Sequence, residues 1–397
     1  MKAGRPFPSR SDSRDIDVAN SSLFYTEDHE AFREQLRRFV AKEIRPHAFA
    51  WDEAGSFPRE LYRKAAEVGM LQIGFPERFG GVEADRFYTI ILHQELARGC
   101  SNGVAAALNS HTISMPALAR LGSEALTRRV LSRVLSGEKI AALACTEPSG
   151  GSDVGAIRTT ATRVGDHYVL SGEKTFITSG MRADYFTVVA RTGGPGTGGL
   201  SLFLLEGDTP GLQRSPLKKM GWLASDTATL FFDDCRVAAE NRIGAENSGF
   251  KALAESFNDE RLGLAAASIG YARVAFEEAR NYAQQRETFG KRLSKHQVIR
   301  HKLVDMAQRI ETSQAYLELT AWKMDHGLNP VADVCMLKNQ ATQTLDHCAS
   351  EAVQIFGGAG YLRGSTVELI YRDVKPNVIG GGSEEIMKEL AGRCLGL

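Results

Sequence analysis

The stretch from Ala144 to Asp153, ACTEPSGGSD, holds a dense set of groups able to cradle a ligand. Gly150 and Gly151 let the backbone curl so that its N–H groups converge, and Thr146 and Ser152 add hydroxyl donors. Such a loop suits a diphosphate or the edge of a flavin ring better than a base edge or a metal. A Gly-rich turn without a ligand is the plain alternative. Arg286, after a long Ala-rich stretch, can grip a phosphate with two parallel bonds, as Lys cannot. Its plain alternative is a surface salt bridge, with Glu287 or another acid. The run Phe257-Asn258-Asp259-Glu260-Arg261 places two carboxylates side by side where a helix is expected to begin. There they are either solvated acids favoured by the helix dipole or a general base. One step along a helix turns a side chain by about 100°, so the two cannot face one site together.

These groups need a scaffold. Residues 26–45 read as a helix: Thr26 caps it, Glu27 and Asp28 favour its first turn, and Phe32, Leu36, Val40 and Ile44 recur along one side. Pro46 ends it. Helices are also expected at 58–68, 87–97, 104–121 and 124–136, so residues 24–138 form an all-helical domain. Residues 1–23 read as a mobile tail. Between 139 and 248 the texture changes. Residues 167–170, a turn at 171–174 and residues 175–178 read as strand, turn, strand. Further strands are expected at 185–191, 200–205 and 227–232, the last ended by Asp233-Asp234. Short strands joined by turns without helices between them imply an antiparallel sheet or a small barrel. From 249 to 397 long helices return, at 259–286, 296–326 and 332–356, which suggests a bundle. Ser365 and Glu368 match a capping box, and Ser383 caps a last helix with Glu384 and Glu385 in its first turn. The Gly-rich run 357–360 follows a helix and not a strand, so a nicotinamide fold has little support.

Composition narrows the classes. At 397 residues the chain exceeds one ordinary core. Hydrophobic content of 43% and charged content of 24% are those of a soluble globular protein. Lys plus Arg equals Asp plus Glu, 48 each, which argues against a general nucleic-acid or anionic-membrane binder. No apolar run reaches the ~18 residues that span a bilayer. The first residues lack a signal-peptide core, and their acids fit a transit peptide poorly, so a bacterial cytoplasm is expected rather than a mitochondrial matrix. Six cysteines lie scattered without a C-x-x-C pair, which fits a reducing compartment and no zinc site. The histidines show no ligand spacing, and no metal is expected.

The TEPSGGSD loop, Phe176-Ile177-Thr178-Ser179-Gly180, Arg286-Glu287-Thr288-Phe289-Gly290-Lys291, Gln354-Ile355-Phe356-Gly357-Gly358 and Tyr371-Arg372-Asp373 occur together in this order. The combination closely resembles the acyl-CoA dehydrogenase family of flavoproteins, from about residue 24 to 397. The resemblance implies an α+β multidomain fold, with an N-terminal all-α domain, a middle antiparallel β domain and a C-terminal four-helix bundle. It implies a homotetramer with FAD in each subunit, an acyl-CoA thioester between helices and flavin, and electron delivery to an electron-transfer flavoprotein.

Carried over position by position, Leu143, Cys145, Thr146, Gly151 and Ser152 would line the flavin, with Ser152 also near the CoA. Phe176 stands where the family often has Trp, beside the ring, and Thr178 would bond near the flavin N5. Arg286, Thr288 and Phe289 would reach the FAD of a neighbouring subunit, Arg286 against its diphosphate. Leu293, Gln297, Gln354, Ile355 and Gly358 would contact that same cofactor. Ser383 and Glu385 match the C-terminal FAD contacts, Glu385 departing from the Gln of many relatives. Phe257, Asn258, Arg261 and Gly382 would serve the substrate.

One departure decides the chemistry. Many members carry their catalytic Glu at the position of Gly381, which can abstract no proton. In the long-chain and isovaleryl branches the base comes instead from the helix position just before the Arg, and Glu260 stands there. Gly381 would still offer its backbone N–H to the thioester carbonyl. The implied reaction is α,β-dehydrogenation to a trans-2-enoyl-CoA. Two alternatives stay open. One is a homologue with other flavin chemistry, such as desulfination, oxidation with oxygen or monooxygenation. The other is a non-catalytic thioester-binding subunit. The acyl chain is not fixed; the small residues 104–107 leave room for a long or wide one, or are ordinary helix packing.

Overall fold

A computed structural model describes residues 24–397; the tail expected at 1–23 lies outside them. The first helix, α1 (Glu27–Phe39), begins as its sequence demands: Thr26 accepts from the N–H of His29, and the His29 side chain closes the capping box. Past Phe39 the helix loosens into a wide turn and a tight one through Arg45–His47, where Pro46 lies. Then come α2 (Ala48–Ala54), α3 (Glu60–Glu67) and α4 (Arg86–Ala97). The single helix expected at 104–121 is three: α5 (Asn102–Leu108), α6 (Ser110–Ser114) and α7 (Pro116–Leu121). Pro116 lacks an N–H and opens α7 as its first residue, where none is needed. Helix α8 (Glu124–Leu135) closes this helical part.

Next comes an eight-stranded sheet. It comprises β1 (Ala141–Ala144), β2 (Thr160–Val164), β3 (His167–Thr178), β4 (Tyr185–Arg191), β5 (Leu200–Glu206), β6 (Leu212–Pro216), β7 (Thr227–Ala238) and β8 (Arg242–Ile243). Most pairings are antiparallel, but β1 runs parallel to β4, so the sheet is mixed. The turn expected at 171–174 is absent. β3 passes straight through, with register shifts against β7 between Leu170 and Gly172 and between Lys174 and Ile177. Gly172, at φ +142°, permits the first shift, and any Cβ there would strike Thr159. Likewise β7 does not stop at Asp233-Asp234; it continues to Ala238 with Asp234 at φ +51°. A bulge absorbs what the polar residues suggested was a turn.

The last part is built on α9 (Gly249–Gln285), of 37 residues, which starts ten residues before the expected 259. A two-stranded hairpin follows, β9 (Glu287–Thr288) with β10 (Lys291–Arg292). Then come α10 (Gln297–Asp325), α11 (Val331–Phe356), α12 (Thr366–Asp373), α13 (Lys375–Ile379) and α14 (Glu384–Leu395). Helices α9, α10 and α11 pack together, α14 lies along α11, and α4 docks on α9, giving the expected bundle. Its core is rich in Ala, from Ala265 to Ala283 on α9 and Ala341 to Ala352 on α11, which lets the backbones approach closely. Ser365 and Ser383 do stand at the starts of α12 and α14, but neither caps through its side chain. Glu368 turns to Arg372 instead of closing a box.

A buried clasp joins all three parts. Asp373, at the end of α12, accepts from the backbone N–H of Trp222 at 2.6 Å and of Asn102 at 3.2 Å. Arg372 beside it donates to Asp52 of α2 at 2.7 Å.

Candidate active site

The Gly-rich loop is held from beneath by an ion pair. Glu147 accepts from the N–H groups of Arg158 and Thr159 at 2.7 and 2.9 Å, and from Lys174 Nζ at 2.8 Å. Lys174 also donates to the carbonyl of Cys145 at 2.9 Å. Both side chains are buried. Burial works against the Glu147 carboxylate, yet Lys174 and those N–H groups hold its pKa below the usual range. The Thr175 N–H bonds the carbonyl of Thr146 at 2.8 Å, so the end of β3 and the loop are one unit. On that unit Phe176, at φ +59°, projects 68% exposed beside half-buried Thr178. Gly151 and Ser152 are exposed at the tip, while Leu143 and Cys145 sit half-buried at the root.

Helix α9 brings the carboxylate to this place. Glu260 lies eleven residues past Gly249, about three turns into the helix. It is therefore not an acid at a helix start, and the dipole reading does not apply. Asp259, one position earlier, is committed elsewhere, taking the Arg86 guanidinium at 2.8 Å. Glu260 is half-buried, and burial pushes its pKa above the ordinary carboxylate range against the pull of Arg261 and Lys338. Cys145 feels the Glu260 charge, and Phe257 shares an apolar cluster with Leu143 and Cys145. The loop and this part of α9 thus face each other.

The turn after α13 completes the place. Gly381 sits at φ +66° and Gly382 at φ +104°, conformations that favour glycine. A Cβ on Gly381 would stand 2.6 Å from Cδ1 of Leu264 and 3.7 Å from Oε1 of Glu260. Arg261 is buried, its guanidinium 5.5 Å from the Phe257 ring centre. Its Nε donates to the Gly381 carbonyl at 3.1 Å, and it also bonds Asn258 Oδ1 at 3.3 Å. Lys338, on α11, donates to the carbonyls of Val378 and Gly382, both at 2.8 Å. Ser383 and Glu385 follow at the start of α14.

A second group assembles at the opposite end of the bundle. Arg286 caps α9 26 residues beyond Glu260, about 39 Å along the helix. It is exposed and, among the described residues, has no ion-pair partner. Phe289, at the hairpin tip, is 97% exposed with φ +51°. Thr288 contacts His296 at 3.2 Å. Stacking of Tyr282 on Phe356, centroids 4.2 Å apart, ties the end of α9 to the end of α11. Leu293 and Gln297 at the start of α10 and Gln354, Ile355 and Gly358 at the end of α11 therefore gather with Arg286. The candidate residues thus form two separate clusters in one chain.

Both clusters fit a flavin dinucleotide. The first offers a glycine tip where a Cβ on Gly151 would meet nothing nearer than Thr146 Cγ2 at 3.4 Å, beside an exposed aromatic at positive φ. The second offers an unpaired guanidinium, an exposed Phe and open space around Gly290, Gly357 and Gly358. Among the described residues, no cluster of His, Cys, Asp and Glu could hold a metal, and all six cysteines are free. Among the described residues, no helix is long and apolar enough to cross a membrane. Sequence reasoning missed Lys174 and Lys338, and did not single out Glu147 within its loop.

Comparison with known proteins gives one answer along the whole chain. Family models of the acyl-CoA dehydrogenase N-terminal, middle and C-terminal domains match residues 26–138, 142–235 and 247–396. The mitochondrial long-chain specific acyl-CoA dehydrogenase of Sus scrofa is 35% identical, over 97% of this chain and 90% of its own length. The mitochondrial isobutyryl-CoA dehydrogenase of Bos taurus is 34% identical, over 96% and 92%. A crystal structure of a probable acyl-CoA dehydrogenase from Mycobacterium abscessus superposes with a TM-score of 0.92 at 44% identity, covering 94% of this chain and all of that one.

Proposed function

The chain belongs to the acyl-CoA dehydrogenase family, and we propose that Glu260 is its base, acting on an acyl-CoA thioester to give a trans-2-enoyl-CoA. It is an oxidoreductase of acyl-CoA dehydrogenation, and its cofactor is FAD. When bound, FAD supplies the acceptor for the β-hydride and the electrons. The chain's own residues do the rest.

The proton α to a thioester carbonyl is weakly acidic. Its removal needs a carboxylate with raised basicity and donors on the carbonyl oxygen as charge develops there. Glu260 meets the first need: it is half-buried with a pKa above the usual range. We assign the second to the backbone N–H of Gly381, at the turn that meets Glu260. Arg261, bonded to the Gly381 carbonyl, fixes the orientation of that peptide. One observation carries the reading. The carboxylate touching the Gly381 position is free to act, while its neighbour Asp259 is tied to Arg86.

The two clusters support an assembly. With Arg286 about 39 Å along α9 from Glu260, a ribityl chain a few bonds long cannot link a ring at one to a phosphate at the other. A homo-oligomer, which the family resemblance makes a tetramer, would let Arg286, Thr288, Phe289, Leu293, Gln297, Gln354, Ile355 and Gly358 complete a neighbour's site. Thr146, Gly151, Ser152, Phe176, Thr178, Ser383 and Glu385 would line the chain's own part of it. Electron-transfer flavoprotein is the proposed acceptor.

The test is a panel of acyl-CoA thioesters of graded length and branching, scored by anaerobic flavin bleaching. Reoxidation is then compared with electron-transfer flavoprotein and with oxygen. Bleaching by at least one thioester and fast reoxidation by the flavoprotein are expected. Bleaching with rapid oxygen uptake instead would favour an oxidase, and a yellow protein that no thioester bleaches would favour a binding subunit.

A further inference from the structure

Lys338 stands out among the groups the mechanism does not use. Its side chain is fully buried, yet its two bonds go to neutral carbonyls. A buried ammonium is costly, and a Met of similar shape would fill the same space without that cost. The carbonyls it holds belong to Val378 and Gly382, on either side of the Ile379-Gly380-Gly381 turn. Gly381 in that turn and Gly382 at its edge stand at φ +66° and +104°, only one of the many conformations that free glycines would sample. The next residue of α11, Asn339, donates to the Glu384 carbonyl at 3.0 Å, so α11 grips both sides of the turn.

We propose that Lys338 is a positioning residue of the reaction: by tying the carbonyls of Val378 and Gly382 it holds Gly381 beside Glu260 and places a positive charge next to the base. The proposal rests on reading Glu260 as the base and Gly381 as the carbonyl donor. The charged and titratable groups around this pair come from several elements. Arg261 lies on α9, Cys335 on α11, Glu384 at the start of α14 and Cys145 after β1. Burial and the Arg261 cation draw the Lys338 pKa down to about 8, against the pull of Glu260 and Glu384. Below that pH Lys338 is charged and favours ionised Glu260, opposing the desolvation that raises the base. Geometry and proton affinity are set by one side chain.

Lys338→Met, Lys338→Gln and Glu260→Gln, each prepared as FAD-loaded enzyme, test it. Lys338→Met is expected to lower kcat by roughly 10- to 100-fold, as misplacement of reacting groups does, with a smaller change in KM. The acid limb of its kcat/KM profile is expected to move up by roughly one pH unit, because Glu260 loses a nearby cation. Lys338→Gln keeps a donor without the charge; it is expected to recover part of kcat and retain the shifted limb. Infrared difference titration of the substrate-free enzyme reads the Glu260 carboxyl directly, assigned by its loss in Glu260→Gln, and is expected to shift the same way. A purely structural lysine would move neither the limb nor the carboxyl. If Lys338→Met does not fold, Lys338→Gln decides. An unmoved limb and carboxyl, with Glu260→Gln inactive, overturn this proposal alone. Parental turnover in Glu260→Gln overturns the base assignment and this proposal with it.

Discussion

A Cβ built on Gly381 would stand 3.7 Å from Oε1 of Glu260. The helix position and the turn position that the family resemblance offers for a base therefore meet at a single point. This chain puts its carboxylate on the helix and leaves the turn bare. Glu260→Gln keeps the shape and removes the proton acceptor. Turnover is expected to fall at least ~100-fold with FAD content near the parent's. Asp259→Asn, by contrast, loses an exposed bond to Arg86 and is expected to keep its turnover. Anaerobic bleaching rates of the two variants check both; equal losses would mean that the assignment between neighbours is wrong.

The pH profile follows from the direction of the Glu260 shift. Its pKa lies above the ordinary carboxylate range because of burial. The base must be ionised, so the rate falls on the acid side, and the fall begins at a higher pH than for a solvated Glu. The same shift has a stability consequence. A raised folded-state pKa contributes stability below the unfolded value and loses it as pH rises through the folded one. Glu260→Gln removes that loss, so its stability relative to the parent is expected to rise with pH. Melting curves of parent and variant across the acid limb test this, and a difference that does not grow with pH would contradict it.

Asp373 obeys the same sign at a different place. Burial pushes its pKa to about 7, despite the N–H of Trp222 and the nearby Arg372. Its contribution is fully present below about pH 4, the unfolded value, and is lost as pH rises through about 7. Asp373→Asn costs backbone bonds of the clasp but cannot ionise. The gap in melting temperature between parent and variant is expected to narrow from pH 5 to pH 8, and a constant gap would exclude Asp373 as the titrating group.

The helical periodicities and the apolar strands were readable because each element buries one face, and that face is written in the side chains. The bulges were not. At Gly172 and Asp234 the residues are those of a turn, and only pairing with a neighbouring strand keeps the backbone extended. The early start of α9 was hidden for a related reason: Asn258 is of a type that favours helix starts, but here it is an interior residue bonded to Arg261. At the site, the loop and Arg286 could be picked out by residue type. Lys338 could not, because a Lys in a helix reads as solvent-facing, and its burial is set by a turn forty residues later. Lys174 left a faint signal: it lies between the apolar stretches of one strand, close to the Glu147 loop in space though not in sequence.

That ion pair yields its own expectation. Glu147→Gln leaves a buried ammonium without its counter-charge, which costs about 3–5 kcal/mol in such settings. The loop should loosen and the purified protein should carry less FAD per chain. Glu147→Gln with Lys174→Met removes both charges and should be less damaging than the single change. Flavin-to-protein absorbance ratios for the three proteins check this; a double variant worse than the single would show that the pair acts through something other than charge balance.

The division of the cofactor site between chains has a direct consequence. Arg286→Ala spoils the far cluster and leaves the Gly-rich loop and Glu260 intact. Glu260→Gln does the reverse. If each site takes its base from one chain and its Arg286 from a neighbour, mixed oligomers of the two inactive proteins contain some sites with both intact. Random mixing puts an intact base beside an intact Arg286 in about one site in four. Co-expressing the two variants with different affinity tags and purifying through both should therefore recover activity that neither parent shows. Arg286→Lys serves as a milder companion, since one ammonium cannot replace a forked pair of bonds to a phosphate, and lower FAD retention is expected. A doubly tagged oligomer without activity would mean that Arg286 and Glu260 of one chain serve the same site. The roughly 39 Å of helix between them argues against that outcome.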